Sequence, residues 1–164
     1  MLRWWASKVR RFVRYFAGRV TEAERSQLAT WLSPAQLELF DSMHRADRRH
    51  GLDVVAALRA AGHERPELLL AGLLHDCGKG RRLRVWHRIA WSLVERYGRP
   101  VERLVMLAPG FRAAFVTMAD HAQQSAELAL AAGVDPLTAD LIRNQAEPTD
   151  DVLGRALLSA DQAS

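Results

Sequence analysis

The chain has 164 residues, of which 49% are apolar and 26% charged, and a formal net charge of +4. That length suits one domain with one real core, and the composition is that of an ordinary globular protein rather than a disordered or low-complexity one. The single cysteine, Cys77, excludes an intrachain disulfide framework and fits a reducing cytoplasm, and no apolar run reaches the roughly 18–20 residues that span a bilayer.

Residues 1–20 carry much of the positive charge and no acid. Leu2, Trp5, Val9, Phe12, Val13, Phe16 and Val20 recur at helical spacing, with Lys8, Arg10, Arg11 and Arg14 on other faces. This is an amphipathic basic helix ending near Gly18. Three readings stay open for it: packing on the domain's own core, peripheral docking on an anionic membrane surface, and contact with a partner helix or acidic ligand. It lacks the uninterrupted apolar stretch of an ordinary signal peptide. The rest of the chain is close to neutral, which gives no argument for a nucleic-acid partner.

Thr21 to Glu24 reads as a capping box opening a helix through Leu32. Ser33 to Gln36 is a second one, with Pro34 at the first helical position, opening a helix to about Met43. A helix from Asp47 to about Ala61 carries His50 with Val54, Val55 and Leu58. Two units are expected: residues 1–32, a basic helix with a connecting helix, and residues 33–164, the main domain.

The stretch Glu67–Lys79 reads ELLLAGLLHDCGK. Pro66 stands where a helix begins and Gly78 where one ends. A helix apolar on most sides belongs in a core, yet this one finishes in His75-Asp76. Burying a carboxylate costs several kcal/mol, on the order given by transfer energies, unless something positive meets it. A divalent metal ion meets an imidazole and a carboxylate at once.

Beyond Gly78 come Lys79, Arg81 and Arg82, then a helix of about Leu83–Tyr97, a short one over Pro100–Leu107 and a turn at Pro109-Gly110. A long helix, Phe111–Ala132, carries His121. Asp135-Pro136 opens Leu137–Ala146, and a last helix over about Asp151–Ala163 carries Asp161. No alternating run persists, so the fold class is all-α.

The order His50, His75-Asp76, Asp161, with HDCGK closing an apolar helix, resembles the HD-domain metal-dependent phosphohydrolases over about residues 41–164. The resemblance implies an all-α HD-domain helical bundle, here with an added N-terminal amphipathic helix. It implies that His50, His75, Asp76 and Asp161 hold one divalent ion (Mn, Fe, Co, Ni, Zn or Mg). Asp76 and Lys79 would be catalytic. Lys79 would meet the phosphate of a small phosphorylated substrate, most plausibly a nucleotide, or stand as an exposed charge at a helix end; Arg81, Arg82 and Arg84 would extend a phosphate-binding rim or form an ordinary solvated face. The expected setting is the cytoplasm, with membrane association if residues 1–20 dock there.

His121, followed by a small-residue helix, sits where two-metal members place a second-metal ligand. A further imidazole is expected one helix later, but that place reads Ile142-Arg143-Asn144-Gln145. The expectation is one firm metal, with His121 a metal ligand, a phosphate contact or an ordinary helix-face histidine. The Gly-Tyr-Pro signature of members acting on cyclic dinucleotides is absent. Cys77 stands at a usually aliphatic position and reads as a small buried hydrophobe; His44, His63 and His87 read as structural. Two rivals to an enzyme stay open: a nucleotide-binding or regulatory module that has lost turnover, and a helical bundle with a chance His-Asp.

Overall fold

The computed structural model describes residues 18–80 and 85–164. Among these residues there are helices and no strand, in keeping with the all-α expectation. They are α1 (Glu22–Leu28), α2 (Pro34–Ser42), α3 (Arg45–Ala60), α4 (Pro66–Leu74), a 3-10 turn (Cys77–Lys79), α5 (Val85–Tyr97), α6 (Arg99–Val105), α7 (Phe111–Ala131), α8 (Pro136–Arg143) and α9 (Leu153–Ala163). None is long and apolar enough to cross a membrane.

Most starts fall where capping chemistry puts them. Thr21 and Glu24 form the reciprocal capping box of α1, Ser33 and Gln36 that of α2, and Asp135 accepts the Leu137 amide at α8. α3 begins ahead of Asp47, because His44 serves as its N-cap through Nδ1, which accepts the Ala46 amide at 3.2 Å. Helix ends run shorter than the periodicity suggests, at Leu28, Arg143 and Leu74.

α4 is the axis of the fold. Leu68, Leu73 and Leu74 are fully buried, and the helix is enclosed by α3, α8 and α9. Each such leucine contributes about 1.5–3 kcal/mol through burial. Phe40, Val54, Leu58, Ile142 and Leu157 complete the same core. Two glycines let α3 and α4 cross closely. A Cβ on Gly51 would stand 2.4 Å from the Leu73 carbonyl oxygen, and one on Gly72 would stand 2.9 Å from Leu58 Cδ1. This crossing brings the residue before Gly51, His50, to the C-terminal end of α4.

The boundary expected at 32/33 is no break in packing. Leu28 and Leu32 belong to the main core, Val20 packs against it, and Arg25 pairs with Asp41 at 2.6 Å. Arg49 pairs with Glu24 at 2.6 Å. The Thr21 amide, with Arg49, holds the Glu24 carboxyl down at about 2. Residues 1–17 lie outside the described residues, and with them most of the amphipathic segment 1–20. Arg81, Arg82 and Arg84 lie outside them too.

α5 and α6 pack together and reach the body through α7, where Trp91 joins Ala114 and Met118 in a small second cluster. α7 then runs past the 3-10 turn, so His121 is carried to the turn's side.

Candidate metal centre

The α-helical hydrogen bonding of α4 stops at Leu74, earlier than Gly78 suggests. His75 is the C-cap, and Asp76 leads into the 3-10 turn. Gly80, at φ +62° and ψ 178°, ends it in an extended positive-φ conformation that is essentially reserved for glycine. Gly78 serves a different need: a Cβ there would lie 2.5 Å from the His121 carbonyl oxygen and 2.6 Å from the Ser125 nitrogen. The Gly78 amide donates to Ser125 Oγ at 2.8 Å, which clamps the turn to α7. Cys77 is buried beside this clamp, and burial pushes its thiol up to about 12, as the small-hydrophobe reading expects.

His75 and Asp76 are only 2% and 3% exposed. His75 Nδ1 donates to the Gly72 carbonyl at 2.9 Å, which leaves Nε2 as the free ring nitrogen. Three residues gather around it: His75 Nε2 lies 3.5 Å from Asp76 Oδ1 and 3.6 Å from Asp161 Oδ1, and the His50 ring packs edge-on to the His75 ring with centroids 5.2 Å apart. Asp161 Oδ1 lies 2.7 Å from His50 Nε2. The side chains of His50 and Asp161, 25% and 36% exposed, open the cluster to solvent.

The fit to a metal ion follows from these atoms. His50, His75 and Asp76 each offer one ligand atom, all within 4.8 Å of one another. Ligands bonded at about 2.1 Å place neighbouring donor atoms roughly 3.0–3.4 Å apart, so small adjustments gather the set on one centre. Asp161 stands outside that mutually close trio but touches both imidazoles. Two imidazole nitrogens with carboxylate oxygens suit first-row divalent ions, and the chain could hold one here.

The charges are mutually dependent. Burial opposes the ionised form of Asp76, but His75, Lys79, His50 and His121 together hold its carboxyl well below the usual range. Burial likewise pulls the His75 imidazole down, but Asp76 and Asp161 outweigh it and leave it raised to about 9. Burial also resists the ionised form of Asp161, yet its hydrogen bond to His50 and the nearby His75 imidazole keep that carboxyl depressed. Lys79 Nζ lies 2.6 Å from Asp76 Oδ2.

His121 approaches the same oxygen of Asp76 as His75 does, with Nε2 3.7 Å from Oδ1. Its Nδ1 donates to the Met118 carbonyl at 2.6 Å. Burial and then the Lys79 charge lower its pKa, so it stands as a neutral ring with an acceptor nitrogen facing Asp76. That arrangement suits a cation better than a phosphate oxygen, which needs a donor.

Six expected residues therefore meet: His50, His75, Asp76, Lys79, His121 and Asp161. Two contributors carried no signal of their own. Ser125 is hidden in a small-residue run, and Gln145 appeared only as a poor substitute for a ligand. The Gln145 amide instead donates to the His75 carbonyl at 3.2 Å, while the Asn144 amide donates to Asp140. His87 packs edge-on to Phe111 with ring centroids 4.9 Å apart, in line with its structural reading. No protein-family model, curated protein or solved structure matches the chain.

Proposed function

We propose that the chain is an HD-type, metal-dependent phosphohydrolase acting on a small phosphate ester, with a nucleotide as the favoured substrate. The observation that carries this reading is the approach of His50 from α3, His75-Asp76 from the end of α4 and Asp161 from α9 to one solvent-open point. His50, His75, Asp76 and Asp161 would hold the ion. A divalent ion bound there would polarise a phosphoryl oxygen and acidify its bound water.

The residues' own parts follow from their placement. Gly72, through its carbonyl, orients the His75 ring so that Nε2 faces the opening. Lys79 brings a fixed positive charge to Asp76 Oδ2 and to any phosphoryl group beside it, where developing negative charge is best met by a preplaced cation. Asp76 Oδ1, between the His75 and His121 nitrogens, can accept a hydrogen bond from a water at the ion and so steer it. The partly exposed side of His50 and Asp161 admits the substrate. Arg81 and Arg82 are proposed as the phosphate rim from the motif alone.

The engagement of Asn144 and Gln145 elsewhere favours the second reading, a nucleotide-binding or regulatory module with weakened turnover. One experiment separates the two. The metal-stripped protein is screened with Mn, Fe, Co, Ni, Zn and Mg against p-nitrophenyl phosphate and a nucleotide panel. Turnover that disappears in both His75→Ala and Asp76→Ala supports the hydrolase. Saturable nucleotide binding with no turnover under any metal supports the module and removes the hydrolase.

A further inference from the structure

α6 has no buried residue, yet its two sides differ. Val101, Glu102, Val105 and Met106 are half-buried, and the helix packs against α5. Pro100, Arg103, Leu104 and Leu107 follow the i, i+3, i+4, i+7 spacing of one helix face, and all four are exposed. Leu107 stays in register because its amide donates to the Leu104 carbonyl at 3.3 Å. Leu104 is 70% exposed and Leu107 81%. A surface helix ordinarily turns its leucines to the core. This one turns two of them to the outside.

The flanking turns have the same character. Tyr97, just before α6, is half-exposed, with the Arg96 guanidinium 5.8 Å from its ring centroid. In the first turns of α7, the exposed Val116 shares a face with Arg112, four residues back. Arg99, Arg103 and Arg112 are exposed, and no ion pair engages them among the described residues. Single exposed apolar side chains are ordinary, but a run of them with a basic border marks a contact surface.

Charge decides between its occupants. Residues 1–17 bring an apolar stripe but also Lys8, Arg10, Arg11 and Arg14, with no acid. A second copy would set the same arginines against each other across a two-fold axis. Both occupants place like charge on like charge. An anionic bilayer offers the opposite charge, with an apolar layer beneath it that leucine side chains can enter. Arginine suits that boundary, because its stem lies along apolar surface while its head reaches phosphate.

We propose that the outer face of α6 docks on an anionic lipid bilayer, with Leu104 and Leu107 entering the headgroup boundary and Arg99, Arg103 and Arg112 meeting lipid phosphate. This surface is separate from residues 1–20. It is also separate from the metal centre, since His121 lies about 15 Å along α7 from Phe111 at 1.5 Å per residue.

The test places an environment-sensitive fluorophore on Leu107→Cys in the full chain, where Cys77 is buried. Vesicles of equimolar phosphatidylcholine and phosphatidylglycerol should shift its emission to the blue. Pure phosphatidylcholine should not, and high salt should reverse the shift. The same label on Arg155→Cys, exposed on α9, should not respond. In co-sedimentation with the anionic vesicles, Leu104→Ser/Leu107→Ser and Arg103→Gln/Arg112→Gln should each bind at least about tenfold more weakly than the parent. Their Tm should be unchanged, because these side chains lie outside the core. No shift at position 107 with anionic vesicles would overturn the proposal. So would parent-level binding by the double-serine variant; loss of binding in Trp5→Ser/Phe12→Ser would then assign the bilayer contact to residues 1–20. A lowered Tm in the double-serine variant, with no vesicle binding by the parent, would make residues 1–17 the occupant. A parent dimer that the same variant breaks, again without vesicle binding, would make it a second copy. Either result overturns the proposal and leaves the metal centre untouched.

Discussion

Asp161 and His50, 111 residues apart in the chain, meet through a 2.7 Å contact between Oδ1 and Nε2. That bond uses the ring nitrogen and the carboxylate oxygen that would bind an ion. An incoming cation must therefore displace a proton and part these two groups. Asp161 holds the His50 ring in place, and in the proposed centre it would serve as a ligand as well.

Asp161→Asn separates those two duties. The amide keeps the shape and a hydrogen bond to His50 but lacks the charge. Metal affinity should fall by at least about 10–100-fold, the range seen when even an outer partner of a metal ligand is lost. Isothermal titration with Co(II) measures it, and circular dichroism checks that the helices persist. Unchanged affinity would take Asp161 out of the ligand set.

The metal-free protein should lose stability with rising pH where the metal-bound protein holds steady. In the metal-free protein His75 is raised from 6.5 to about 9. A raised pKa stabilises the fold fully below 6.5, and that stabilisation is lost as pH climbs through 9. The steepest loss from one such proton is about 1.4 kcal/mol per pH unit. An ion must displace that same proton, so metal affinity should rise across the window. In chelator, Tm should fall from pH 6.5 to 9, while the gain in Tm from saturating Co(II) grows. On the acid side, the depressed carboxyls of Asp76 and Asp161 contribute stability above about 3.8 that is lost as pH falls further. Parallel slopes with and without metal would rule out His75 as a ligand.

The metal-centre pattern was legible in the sequence because its cost was legible. An acid placed at the foot of ELLLAGLL demands a cation, and His50 and Asp161 are the partners that the resemblance to HD-domain hydrolases points to. The capping boxes at Thr21 and Ser33 were equally readable, since each is a local exchange of hydrogen bonds. The function of Gly78 was not. Gly78 and Gly80 look alike in sequence, yet one ends a turn by its φ and the other makes room for a neighbouring helix. Only the packing of α7 tells them apart. Lys79 was visible as a charge near the motif, but its lock on Asp76 Oδ2 depends on the 3-10 turn that shortens α4. Gln145 was invisible for the same reason: its partner is a backbone carbonyl, and sequence does not record where carbonyls point.

The two glycines of the turn should consequently fail in different ways. Gly78→Ala forces a Cβ into backbone atoms of α7 at 2.5 and 2.6 Å. Overpacking of this kind typically costs about 1–3 kcal/mol. Because the shift moves the turn that carries Asp76 away from His121, metal affinity should fall as well. Gly80→Ala meets nothing within 4 Å and only strains a residue at φ +62°. That costs about 1–3 kcal/mol and leaves the clamp intact. Urea unfolding paired with Co(II) titration distinguishes them: both variants lose stability, and Gly78→Ala alone loses affinity. Equal affinity in the two would show that the clamp does not position the centre.

Gln145 offers a milder test of the same surroundings. Its Nε2 donates to the carbonyl of His75, one of the last carbonyls of α4 and so without a helical partner of its own. Gln145→Leu removes that donor and should cost about 0.5–1.5 kcal/mol, the usual net worth of such a bond. Gln145→Glu replaces the donor with an acceptor that repels the same oxygen, so it should cost more than Leu at neutral pH and approach the Leu variant as the carboxyl is protonated. The control is Asn144→Ala, whose amide bonds lie on Asp140 within α8 and away from His75. Thermal unfolding from pH 4 to 8 gives the comparison. If the Glu variant matches the parent at every pH, Gln145 has no hold on His75, and the end of α4 is kept in place by packing alone.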